Sequence, residues 1–100
     1  MLYIVWFTDN PERAAVRERD MPAHLAFLER NAARIRAAGP LRTAADGAPA
    51  GGMWLVEAAS HADVVALYQE DPFWPTGLRK SVEVYAWRQV FADGRRLPAT

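Results

Sequence analysis

The chain has 100 residues, no cysteine, and twelve Lys plus Arg balanced by twelve Asp plus Glu. That composition excludes disulfide stapling, thiolate nucleophiles and cysteine-based metal sites, and it offers no net field for nucleic acid or an anionic membrane. The length suits a single domain over residues 1–100, burying a little over ~60% of the surface its unfolded chain exposes, and four Trp, four Phe and three Tyr argue for a packed core.

The opening MLYIVWFTDN is too short for a membrane span, lacks a basic leader and meets Thr-Asp-Asn-Pro at once, so it reads as the first strand of a cytoplasmic protein. Its alternation places Leu2, Ile4 and Trp6 on one face and Tyr3, Val5 and Phe7 on the other, both apolar. DNPER supplies an N-cap, a proline near the first helical position and an acid in the first turn, predicting a short helix to about Arg17 or Arg19 that Pro22 interrupts or restarts. From Pro22, Leu25, Leu28, Ala32 and Ile35 fall at helical spacing as one apolar stripe, and Ala37-Ala38-Gly39-Pro40 stops the helix. A short strand is expected around Leu41 to Ala44, followed by a loop of small residues and a firmer strand from Met53.

Ser60 and Asp63 have the spacing of a capping box and open a second helix carrying Val64, Val65, Leu67 and Tyr68. That helix ends at Asp71, because the residue before a proline avoids helical geometry. FWPTGLRK is an aromatic loop, SVEVYAWRQVF a long alternating strand, and residues 93–100 a tail. The order is βαββαβ, the ferredoxin-like plan of the α+β class: an antiparallel sheet with both helices on one face. Two helices cover only one face, yet the first and last strands are apolar or aromatic on both. A second copy of the chain covering the open face, expected to carry Tyr3, Val5, Trp87 and Phe91, would make a dimeric α+β barrel.

The segments MLYIVWFTDN, PAHLAFL, AAGP, EDPFW and SVEVYAWRQVF, in this order, resemble the YciI-like (YCII-related) family of small α+β proteins over nearly the whole chain. The resemblance implies that His24 and Asp71 form a catalytic pair, and some members of the family are dehydrochlorinase-type enzymes acting on aromatic rings. In fold, the family also resembles the muconolactone isomerases. Many members carry an arginine directly before Pro-Ala-His, where this chain has Met21; Arg17 matches a basic position common in the family.

Taken by themselves, the residues leave more than one reading open. His24 sits one position off the apolar stripe, suiting either a boundary histidine bonded to a backbone carbonyl or a proton-transfer group. Asp71 suits a turn before proline as well as a carboxylate partner. With both helices read as running the same way, the end of one need not meet the start of the other, so contact between His24 and Asp71, within a chain or across a dimer, is a separate expectation. Where they meet, a carboxylate orients an imidazole, fixes its tautomer and favours its charged form. Phe73 and Trp74 are candidates for an apolar wall against a planar ring or for loop anchors. Arg17 is a candidate for a substrate carboxylate or enolate or a solvated surface charge, and Trp6 for the pocket floor or the core. His61, in the first turn of the second helix, is expected to be exposed and inert.

No histidine pairing supports a metal site, and the glycines near Gly47 and Gly51 lack the strand-to-helix context of a phosphate cradle. No residue has the setting of an activated nucleophile, which favours proton transfer without a cofactor: isomerisation, or elimination from a small, aromatic or lactone-like metabolite. The alternatives are a small-molecule binding module, an accessory dimer whose aromatic sheet face is its whole function, and a cofactor-independent monooxygenase. The expected partners are a small-molecule ligand and a second copy of the chain, with neither nucleic acid nor membrane.

Overall fold

In the computed structural model, which describes residues 1–98, the apolar N-terminal run forms β1 (Leu2–Asp9). Tyr3, Val5 and Phe7 are buried, while Trp6 on the opposite face stays 45% exposed. A short 3₁₀ turn at Pro11–Arg13 leads into α1 (Ala14–Arg30), a single helix that runs through Pro22. Proline in a helix interior removes a hydrogen bond and normally costs about 3 kcal/mol. Here Pro22 and Glu18, whose carbonyl loses its donor, both lie on the exposed side, where water can serve that carbonyl. The expected break at Pro22 is therefore absent.

The buried positions of α1 are Val16, His24 and Phe27, flanked by half-buried Arg17, Asp20, Met21 and Leu28. The stripe is thus rotated by one residue from the expected one. Leu25 is 48% exposed, and His24 moves from the boundary onto the packed face. The helix also ends earlier than expected. The Asn31 side chain donates to the Phe27 carbonyl at 2.9 Å, and the Ile35 amide donates back to the Asn31 carbonyl.

Residues expected to finish that helix instead form β2 (Ile35–Arg42), which contains Gly39 and Pro40. Ile35 pairs opposite Val56 and is buried in the core, a better use of a β-branched side chain than a helix end. Pro40 is tolerated because β2 is an edge strand. β3 (Pro49–Glu57) follows, then α2 (His61–Gln69), whose Ser60 side chain accepts from the Asp63 amide. A second 3₁₀ turn (Trp74–Thr76) precedes β4 (Arg79–Ala86).

The strand expected to run to Phe91 stops at Ala86. The Trp87 amide still donates to the Leu2 carbonyl, after which the chain leaves the sheet and closes a hairpin of β5 (Phe91–Ala92) and β6 (Arg95–Arg96). This hairpin occupies part of the segment expected to be a tail; its last residues, Ala99 and Thr100, lie outside the described residues.

The sheet order is β2-β3-β1-β4 with every neighbouring pair antiparallel, the ferredoxin-like arrangement. Its helix-covered face carries Tyr3, Val5, Phe7, Trp54 and Val56, packed against Phe27, Val64, Leu67 and Tyr68. The open face carries Leu2, Ile4 and Trp6, with Met53, Leu55, Glu83 and Tyr85 opposite them. The expected assignment of Tyr3 and Val5 to the open face is thereby inverted, because β1 offers its aromatic-rich odd-numbered side to the helices. Among the described residues, no helix is long and apolar enough to cross a membrane.

One backbone position has no freedom. Gly51, in β3, has φ of +145°, and a Cβ there would stand 1.9 Å from the Phe7 carbonyl oxygen. Gly51→Ala is expected to lower the unfolding free energy by at least about 1–3 kcal/mol, read as a fall in the urea midpoint at unchanged slope.

Candidate active site

The antiparallel order sends β1 and β2 toward the end of the sheet at which β3 and β4 begin. It also sends the helices in opposite directions, since α1 follows β1 and α2 follows β3. The expectation that both helices run the same way is corrected by this, and its consequence is direct. The end of α2 returns to the level of α1, and Asp71 arrives beside His24 within one chain.

His24 Nδ1 lies 2.8 Å from Asp71 Oδ1, with side-chain exposures of 8% and 3%. The same Oδ1 accepts the Phe73 amide at 3.1 Å, and the Trp74 amide donates to the Asp71 carbonyl at 2.8 Å. Asp71 is therefore both the turn former that a residue before proline suggests and the partner of the imidazole. Phe73, fully buried, stacks on the His24 ring at 4.1 Å between centroids and 16° between planes. A carboxylate on Nδ1 holds the neutral ring as the Nδ1–H tautomer and leaves Nε2 as its free lone pair. Among the described residues, Nε2 makes no hydrogen bond.

A second charged group stands beside the pair. Asp9, at the end of β1, accepts Arg17 Nη2 on Oδ2 at 2.6 Å and Arg79 Nη1 on Oδ1 at 2.9 Å. The Arg79 guanidinium lies 4.1 Å over the Phe7 ring and 5.4 Å from that of Phe73. Burial pushes Arg79 below the ordinary arginine value, and the hydrogen bond and charge of Asp9 oppose that shift. Arg17 lies 5.6 Å over the Phe73 ring, so the residue expected as a candidate anion contact is tied to both groups.

Between α1, β2 and these side chains lies a cavity of ≈ 100 Å³ lined by Arg17, Met21, His24, Leu28, Trp54 and Arg79, among others. Arg17, Met21 and Pro40 also line a larger cleft of ≈ 710 Å³ running past Asp9 and Asn10, so these three form the shared wall between outer cleft and inner cavity.

A family model for the YCII-related domain matches residues 1–88. The chain belongs to that family. No curated protein matches it. Among solved structures, the YCII-related chain is similar to 5-chloro-2-hydroxyhydroquinone dehydrochlorinase (TftG) from Burkholderia phenoliruptrix AC1100, in complex with 2,5-dihydroxybenzoquinone. The identity is 33%, with 88% of this chain and 94% of that one covered at a TM-score of 0.78.

Of the candidate residues in this YCII-related domain, the structure brings His24, Asp71, Phe73 and Arg17 together. Trp74 instead packs at 4.9 Å on Tyr68, on the core side of the loop. Trp6 points to the open sheet face and does not line the cavity of its own chain. His61 is exposed, as expected. Sequence reasoning missed Asp9, Trp54 and Arg79. Asp9 lies in the segment read as a helix cap and Arg79 in the segment read as a loop, and only the return of β4 alongside β1 pairs them.

Removing the Asp71 carboxylate strands two buried donors, the Phe73 amide and the imidazole N–H. Asp71→Ala is expected to cost at least about 1–3 kcal/mol of unfolding free energy and Asp71→Asn less, because the amide oxygen can still accept. Parallel urea titrations of the two variants measure the difference.

Proposed function

We propose that this YCII-related chain is a single-domain, cytoplasmic acid/base enzyme that needs no cofactor, with His24 as the proton-transfer group and Asp71 as its orienting partner. The observation that carries the reading is the buried 2.8 Å contact between His24 Nδ1 and Asp71 Oδ1, with Nε2 left unbonded beside a cavity. The substrate class is a small hydroxylated ring. Support comes from the aromatic surface of Trp54, which lines the cavity beside His24, and from the dehydrochlorinase similar to this chain. In an elimination of that type, Nε2 takes a proton from a ring hydroxyl and delivers it to the chlorine-bearing carbon, as the electron pair released moves through the ring to that carbon. A second hydroxyl then gives its proton to Nε2, its electron pair moves through the ring, chloride departs with its bonding pair to leave a quinone, and His24 passes the proton to water. An isomerisation stops at the first of these stages, with the proton on a ring carbon.

Arg17 would hold a substrate oxygen at the cavity wall, with Phe73 as the apolar backing of the imidazole. Trp6 and Trp74 belong to this proposal only as supports, Trp74 through the loop that carries Phe73. His24→Ala is expected to lower the rate of chloride release from 5-chloro-2-hydroxyhydroquinone by about 10²–10⁴, with a loss of comparable order for Asp71→Asn. Unchanged rates in both variants would sink the acid/base reading. Ring binding without any turnover by the wild type would leave a binding module in its place.

We also propose that the open sheet face pairs with a second copy. Its support is the apolar row of Leu2, Ile4, Trp6, Met53 and Leu55, with Trp6 and Tyr85 exposed beside it. Trp6→Asp is expected to convert a dimer to a folded monomer in sedimentation equilibrium; a wild-type monomer at the same concentration refutes the pairing.

A further inference from the structure

Arg79 is the least satisfied charged side chain around the cavity. Its side chain is only 3% exposed, yet of its donors only Nη1 is hydrogen-bonded, to Asp9. Nε is buried with no partner, and among the described residues Nη2 makes no hydrogen bond. Buried arginines that serve packing alone have their donors used, because an unused donor on a desolvated cation costs free energy. The cost here sits beside a cavity that Arg79 itself lines, next to His24.

The charges around the cavity give the same direction. Arg17, Arg79 and Asp9 together carry one excess positive charge, while the His24–Asp71 pair becomes neutral overall once His24 gains a proton. A neutral substrate that gives its proton to His24 becomes an anion of unit charge, which the excess on the arginine side balances. The backbone makes room for this guanidinium: a Cβ on Gly52 would come within 3.2 Å of Arg79 Nη1 and 3.7 Å of Nη2. The Phe7 and Phe73 rings hold the head group from the sides, so it is ordered before any ligand arrives.

We propose that Arg79 is the anion-binding residue of the cavity, donating from its unbonded Nη2 to the ionised ring oxygen of a phenolate or enolate formed when His24 takes the substrate proton. This rests on the acid/base reading for the substrate but is tested apart from it, with para-nitrophenolate and its neutral relative para-nitroanisole as calorimetric probes. The pH is set above the ionisation of the phenol, so that no proton transfer to His24 is involved. Wild type is expected to prefer the phenolate. Arg79→Met should weaken phenolate binding on the order of 10- to 100-fold and leave the anisole within about twofold. Gly52→Ala, which keeps the charge but presses the head group aside by a few tenths of an ångström, should weaken the phenolate in the same direction, and it decides the matter if Arg79→Met fails to fold. His24→Gln should retain phenolate affinity, so a failure of the acid/base reading leaves this result standing. Equal affinity of wild type for both probes, or unchanged phenolate affinity in a folded Arg79→Met protein or in Gly52→Ala, overturns the assignment.

Discussion

The buried carboxylate of Asp71 is the group on which the arrangement around the cavity turns. A carboxylate removed from water has to be met by donors, and the chain supplies two at one oxygen, the Phe73 amide from its own turn and the His24 ring from α1. Each contact fixes something larger than itself. The first sets the path of the loop that delivers Phe73 onto the imidazole. The second fixes the rotation of α1, which is why Leu25 faces water while His24 and Phe27 face the core. With α1 so rotated, Met21 and Arg17, one and two turns before His24, reach the same cavity wall.

A second constraint is electrostatic. Arg17 and Arg79 approach the same site from different elements, and Asp9 accepts one of them on each of its oxygens. This bridging carboxylate separates the arginines from the His24–Asp71 pair, one group holding cations in place and the other orienting an imidazole. The aromatic rings of Phe7 and Phe73 join the two groups physically, because Phe73 touches both His24 and the guanidinium groups. Packing and chemistry are therefore not separable at this end of the sheet.

Much of this was legible in the residues. The order of the main strands and helices, the capping of α2 by Ser60 and the turn at Asp71 before Pro72 follow from local chemistry. Failures came where local signals compete with pairing. Ala37-Ala38-Gly39-Pro40 has the chemistry of a helix end, yet Ile35 is worth more against Val56 than at a helix terminus, and an edge strand tolerates the proline. Leu25, Leu28, Ala32 and Ile35 make an apolar stripe as regular as the true one, and only the burial of His24 against Asp71 breaks the tie. Val82 to Phe91 alternates like one long strand, but β1, its sheet neighbour among the described residues, begins at Leu2, so the pairing ends at Trp87.

By itself, the sequence determined the α+β class, the order of strands and helices in the main sheet and the absence of cysteine chemistry. Those properties depend on residue type and on spacing within single segments. The tertiary structure alone decided that His24 and Asp71 meet within one chain, that Asp9 bridges two arginines, that Arg79 lies against the cavity and that Trp6 does not. Each of those facts depends on the antiparallel order of the strands, which brings the end of β1, the start of β4 and the end of α2 to one place. Sequence distance carries no information about a meeting that only strand pairing and helix direction create.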